Sequence, residues 1–134
     1  IVSIFDNEFK EYTDFLKSTT IDNKIRFFEL SIFDSGPGYA RKWLKKDFNL
    51  MTLEEEKDAF DKCLYKHSST KGPTSTGMGL TIVRNMLNKL NAYMRIRSGR
   101  LCFNQTNING VEKLFYKTNL AQVEGTSISI CIPF

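Results

Sequence analysis

The sequence predicts an α+β domain, a two-layer sandwich in which helices cover one face of a mixed, mostly antiparallel sheet. Three features carry that prediction. Strand-like runs recur along the chain, the clearest being Thr126 to Ile132, where Ile128, Ile130 and Ile132 face one way and Ser127 and Ser129 the other. Asn109-Gly110 between two such runs is a hairpin signal, which makes its flanking strands antiparallel neighbours. Two stretches beginning near Leu53 and Leu80 carry apolar residues at helical spacing, and such stripes pack against another layer.

Composition bounds the remaining choices. A length of 134 residues with 41% hydrophobic and 25% charged side chains fits one globular core, so a single domain spans 1–134. The net charge of +4 suits a polyphosphate, nucleic acid or an acidic partner equally. The basic clusters Arg41-Lys42, Lys45-Lys46 and Arg95 to Arg100 are short and broken by apolar residues, so they read as solvated faces and a nucleic-acid partner is not expected. Cys63, Cys102 and Cys131 are odd in number and apolar in setting, as in a reducing compartment. With no signal peptide and no membrane span, a cytoplasmic location is expected. His67 is the sole histidine, which excludes a metal site built on paired histidines. The chain starts inside the strand-like run Ile1 to Phe5 without a methionine, so it is expected to be truncated at its N-terminus.

Taken in order, Ile1 to Phe5 and Lys24 to Phe33 are expected to be paired, largely buried strands, with a short helix between them on Phe9, Tyr12, Phe15 and Leu16. Arg41 to Lys46 is amphipathic. Thr52 and Glu55 have capping-box spacing and open a helix to about Lys66, with Ala59, Phe60, Cys63 and Leu64 inward. His67 to Thr76 is a breaker-rich polar loop. The next helix, Leu80 to about Ala92, turns Leu80, Val83, Leu87 and Leu90 inward, with Ile82 and Met86 alongside, and leaves Arg84, Asn88 and Lys89 on its far face. Tyr93 to Arg97 and Leu101 to Phe103 are strands broken at Ser98-Gly99, and Asn104 to Asn119 is a polar insertion suited to a partner.

Two glycine clusters mark the candidate site. Asp34-Ser35-Gly36-Pro37-Gly38 follows a strand, so the Asp34 carboxylate sits where backbone leaves the sheet and can accept from an exocyclic amine; equally, it can cap a turn. Thr76-Gly77-Met78-Gly79-Leu80 opens a helix, where bare N–H groups and the positive dipole end suit phosphate; a hinge is the alternative. Neither a dinucleotide fingerprint nor a P-loop is present. Ser69-Thr70-Lys71 offers two hydroxyls and an ammonium, in a stretch that also suits a solvated loop. Thr126, after Gly125, can support Asp34 directly or through water, and is also an ordinary strand residue.

The order of these pieces resembles the GHKL, or Bergerat-fold, ATP-binding domain over about Ile25 to Phe134. The Ser-Thr-Lys triplet and the closing Gly-Thr-strand-Ile-Pro resemble its histidine-kinase branch most. The resemblance implies that Asp34 binds the adenine amino group, that Gly36 and Gly38 shape the base pocket, and that Thr126 assists through water. It further implies that Gly77 and Gly79 meet the phosphates of ATP or ADP, that Lys71 reaches the terminal phosphate, and that Tyr39 to Thr76 forms a lid. Mg2+ is implied as well, but the asparagine-bearing helix that should hold it is not found, since neither Asn7 nor Asn23 lies in a helical pattern. The function expected is nucleotide-dependent lid switching, or phosphoryl transfer to an acceptor on another domain or protein. The alternatives are a stand-alone ATPase and a non-catalytic module that binds protein or nucleic acid.

Overall fold

The computed structural model describes residues 9–64 and 79–134. Their elements run α1 (Lys10–Ser18), β1 (Phe27–Asp34), α2 (Tyr39–Leu44), a 3-10 turn at Phe48–Leu50, α3 (Leu53–Leu64), α4 (Gly79–Lys89), β2 (Tyr93–Gly99), β3 (Leu101–Ile108), β4 (Val111–Lys117) and β5 (Val123–Pro133). The five strands form one open sheet in the order β1-β5-β2-β3-β4. Every pairing among them is antiparallel, so the sheet is not mixed. The expected strand Ile1 to Phe5 lies outside the described residues.

Local chemistry explains the start of α3 and the turn between β3 and β4. The capping box forms reciprocally: Thr52 Oγ1 accepts from Glu55 N at 3.1 Å, and Glu55 Oε2 accepts from Thr52 N at 2.9 Å. Asn109 and Gly110 take the positive φ values, 48° and 83°, that a two-residue turn between β3 and β4 requires.

Side-chain alternation splits the core in two. Met94, Ile96, Phe103 and Ile130 project to one face and pack with Phe60 and Leu64 of α3 and Leu87 of α4. Tyr93 and Cys131 project to the other and pack with Phe9, Tyr12 and Leu16 of the α1 region. The helices therefore do not all share one face. The stripe of α1 finds Tyr93, Phe27 and Phe115 on the reverse side, and the Tyr12 hydroxyl donates to Asn91 O at 2.8 Å to fix it there. A third cluster, Ala40, Phe48, Met51 and Ala59, binds α2 to α3.

Several burial expectations are corrected. In α4 only Leu87 is fully buried, while Ile82, Val83 and Met86, and Leu90 just beyond its end, are exposed. Arg84 and Asn88, expected on the far face, turn toward the sheet: Arg84 Nε donates to Gln105 Oε1 at 3.2 Å and Asn88 Nδ2 to Asn107 Oδ1 at 3.2 Å. The cause is β3, which buries Gln105 and Asn107 completely and so draws polar partners onto the helix above it. Asn104 to Asn119, expected to be longer than a simple hairpin, holds most of β3 and all of β4 joined by the two-residue Asn109-Gly110 turn. The expected break between the two strands falls at Arg100, just after Ser98 and Gly99, which form the end of β2 with a register shift between them. β1, expected to be largely buried, is an edge strand with Phe28, Leu30, Ile32 and Phe33 exposed.

Candidate functional site

The last residue of β1, Asp34, pairs directly with Thr126 of β5, and Thr126 pairs on its other side with Ser98 of β2. This row of three continues the face that carries Ile32, Ile128 and Ile96, the face covered by α3 and α4. Antiparallel registration thus sets a carboxylate and two hydroxyls side by side at one end of the sheet. Thr126 is buried and its hydroxyl lies 3.4 Å from Ser98 Oγ, which also accepts from Tyr39 N at 3.1 Å.

Two glycines are required by the backbone here. At Gly125, φ is +77° and a Cβ would stand 1.9 Å from the Asp34 carbonyl oxygen. At Gly38, φ is +82° and a Cβ would come within 2.8 Å of Ser98 Oγ. Both let the Ser35 to Gly38 loop lie flat across the strand ends. Asp34 is exposed, and its Oδ1 accepts from Gly36 N at 2.7 Å, the aspartate turn that the loop composition also allowed. That bond fixes the carboxylate's orientation. Among the described residues its second oxygen, Oδ2, accepts no hydrogen bond.

The second cluster approaches through α3. The Tyr39 ring stands edge-on to Phe60 at 5.2 Å, and its hydroxyl is pushed up to about 12, first by burial and then by the neighbouring Cys63 and Asp34. The Cys63 thiol is itself raised to about 11, chiefly by burial. Four residues on from Phe60, Leu64 O accepts from Thr81 Oγ1 at 3.4 Å, and Leu80 packs against the same core cluster. The last turn of α3 therefore contacts Tyr39, which neighbours Asp34, and also the first turn of α4. Gly79 is exposed, and a Cβ there would meet nothing within 4 Å. Packing among the described residues does not call for glycine at that position.

Ser69, Thr70, Lys71, Thr76, Gly77 and Met78 lie outside the described residues, as does His67. Of the expected lid, Tyr39 to Leu64 is packed into the body by α2, α3 and their shared cluster. Glu56 reinforces it: this buried carboxylate accepts from Arg100 N at 2.7 Å and from Arg100 Nε at 2.8 Å. Two surface depressions, of about 250 Å³ beside Arg26 and Leu90 and about 290 Å³ between Arg41 and Glu124, are not lined by Asp34 or Thr126.

Metal chemistry finds little support in the side chains. Among the described residues no cluster of three His, Cys, Asp or Glu groups could hold an ion, and α1, the helix directly before β1, contains no asparagine. Ser98 and Tyr39 were missed from sequence. Ser98 is two residues from Ile96 on the same face of β2, and that alternation was the available signal. No family model matches the chain, and no curated protein matches it.

Proposed function

We propose that this chain is an ATP-binding domain of GHKL type, nearest the histidine-kinase branch, with the Bergerat arrangement of its two layers. The observation that carries the proposal is the row Asp34-Thr126-Ser98, in which residues from three distant parts of the sequence meet under the helices, with one carboxylate oxygen already held and the other open. In this reading Oδ2 accepts from the adenine amino group, and Gly36 and Gly38 carry the backbone past the base. Thr126 contributes through a bridging water. The open first turn at Gly79 and Leu80, with Gly77 and Met78 before it, receives phosphate oxygens. Ser69, Thr70, Lys71 and Thr76 complete the polyphosphate contacts.

The nucleotide-dependent switch of contacts is assigned to the lid, Tyr39 to Thr76, whose part from Tyr39 to Leu64 rests on the body through the clusters of α2 and α3. The output is a changed contact with another domain or protein, and any phosphoryl acceptor lies elsewhere. No step is assigned to a metal.

Calorimetry with ATP, ADP and GTP tests the proposal. Asp34→Asn keeps an acceptor for Gly36 N–H but replaces Oδ2 with a donor that faces the adenine amine. Losing a hydrogen bond to a charged group costs about 1.5 to 3 kcal/mol, or roughly 10- to 150-fold in Kd. The melting temperature should stay close to that of the parent. An unchanged Kd rejects the assignment, and so does equal affinity for GTP.

A further inference from the structure

The open sheet has two edges, and they are built differently. β4 carries Glu112, Lys113 and Lys117; Glu112 accepts from Arg84 Nη2 of α4 at 2.7 Å, and Lys113 pairs with Glu11 of α1. Charged side chains of this kind discourage a further strand from joining an edge. β1 is less protected, with Glu29 and the terminal Asp34 as its charged side chains. Among the described residues it pairs with β5 alone, in continuous register from Phe27 to Asp34, and it contains no lysine, arginine or proline. It exposes Phe28, Leu30, Ile32 and Phe33 at 58%, 43%, 51% and 70%.

Its sequence also has a symmetry. Phe27 to Phe33 reads apolar, apolar, polar, apolar, polar, apolar, apolar, a pattern that is the same in both directions from Leu30. A two-fold interface needs a surface complementary to itself. Antiparallel pairing about Leu30 sets Leu30 against Leu30 and Phe28 against Ile32 of the second copy on the helix-covered face. On the reverse face Phe27 meets Phe33, and Glu29 meets Ser31. No like charges oppose each other, and one step further Asp34 stands across from Arg26, an opposite charge, at both ends.

We propose that β1 is the contact with a second copy of this chain, two β1 strands adding antiparallel about Leu30 to join two five-stranded sheets into one of ten. Among the described residues the contact uses the β1 edge of each copy and leaves the charged β4 edges outermost, so assembly closes at two rather than growing into a fibre.

Sedimentation equilibrium of the full chain over a micromolar concentration series tests this. The mass should move from 15.5 kDa toward twice that value. Leu30→Lys places two ammonium groups against each other on the two-fold axis and should weaken association about tenfold or more. Its circular dichroism should be unchanged, because Leu30 is already 43% exposed. Ser31→Lys sets the new ammonium against Glu29 of the second copy and should preserve or tighten the dimer, more so at low salt. A parent that stays monomeric throughout, as when a different segment or protein takes that edge, overturns the proposal. A dimer indifferent to Leu30→Lys also overturns it, as does one lost on Ser31→Lys.

Discussion

Replacing Glu56 with alanine should be among the most damaging single changes to this fold. The carboxylate is 2% exposed and holds Arg100 twice, through its backbone N–H at 2.7 Å and its Nε at 2.8 Å. Arg100 in turn donates through Nη2 to Met51 O at 3.2 Å and lies over the Phe48 ring. One residue therefore clamps α3 to the β2–β3 turn and to the loop before α3. Removing one partner of a buried ion pair costs about 3 to 5 kcal/mol, because the other is left without its counter-charge. Here the Arg100 side chain keeps 22% exposure and its bond to Met51, so it regains some hydration and the lower part of that range applies, about 3 to 4 kcal/mol. Glu56→Gln, which retains a neutral acceptor for the backbone N–H, should lose about half as much. Urea unfolding followed by circular dichroism measures both. With a slope of about 2 kcal/mol/M, the Glu56→Ala midpoint falls by roughly 1.5 to 2 M at unchanged slope. A loss below about 1 kcal/mol would mean that Arg100 finds water in solution and that the clamp is not buried there.

The two glycines of the site should respond oppositely. Gly125→Ala forces a positive φ on alanine, about 1 to 2 kcal/mol by itself, and drives a methyl into the Asp34 carbonyl, so both stability and nucleotide affinity should fall. Gly79→Ala meets no atom and gains helix propensity of up to about 1 kcal/mol, so it should melt no lower than the parent while binding nucleotide more weakly. Thermal melts with and without ATP distinguish the pair, and equal behaviour of the two variants contradicts the geometry. Alkaline pH should unfold the protein in a defined window. Burial raises Tyr12 strongly and pushes Tyr39 up to about 12, whereas an unfolded tyrosine ionises near 10. The folded state therefore holds more protons than the unfolded state from about pH 10 upward, so stability is full below that and is lost as pH rises through 12. Absorbance at 295 nm after a rapid jump to pH 11 should show both phenols still protonated before unfolding, and immediate ionisation of all five tyrosines would contradict it.

Much of the fold was legible where the controlling interactions are local. The Thr52 and Glu55 caps, the Asn109-Gly110 turn and the alternation of β5 all depend on residues within a few positions of one another, and each forms as its sequence implies. The pairing of Asp34 with Thr126 was less accessible, since it needs the register of β1 on β5. Ser98 stayed hidden because a serine beside a glycine looks like a strand break until β5 is placed next to it. The orientation of α4 was misjudged for a related reason: its apolar stripe is real, but Arg84 and Asn88 serve polar groups on β3 that no helical periodicity can disclose.

From its order of residues alone, this chain determined where elements start and stop, which strands join by tight turns, and which two glycine clusters flank a carboxylate and a helix mouth. Tertiary structure decided which faces are covered: that α1 backs the sheet, that β3 buries amides, that β1 stands at the edge among the described strands, and that Asp34, Thr126 and Ser98 form a row. The division has a physical cause. Capping and turn preferences are set by bonds between near neighbours in sequence, whereas burying a polar or apolar group depends on partners that arrive from elsewhere in the chain.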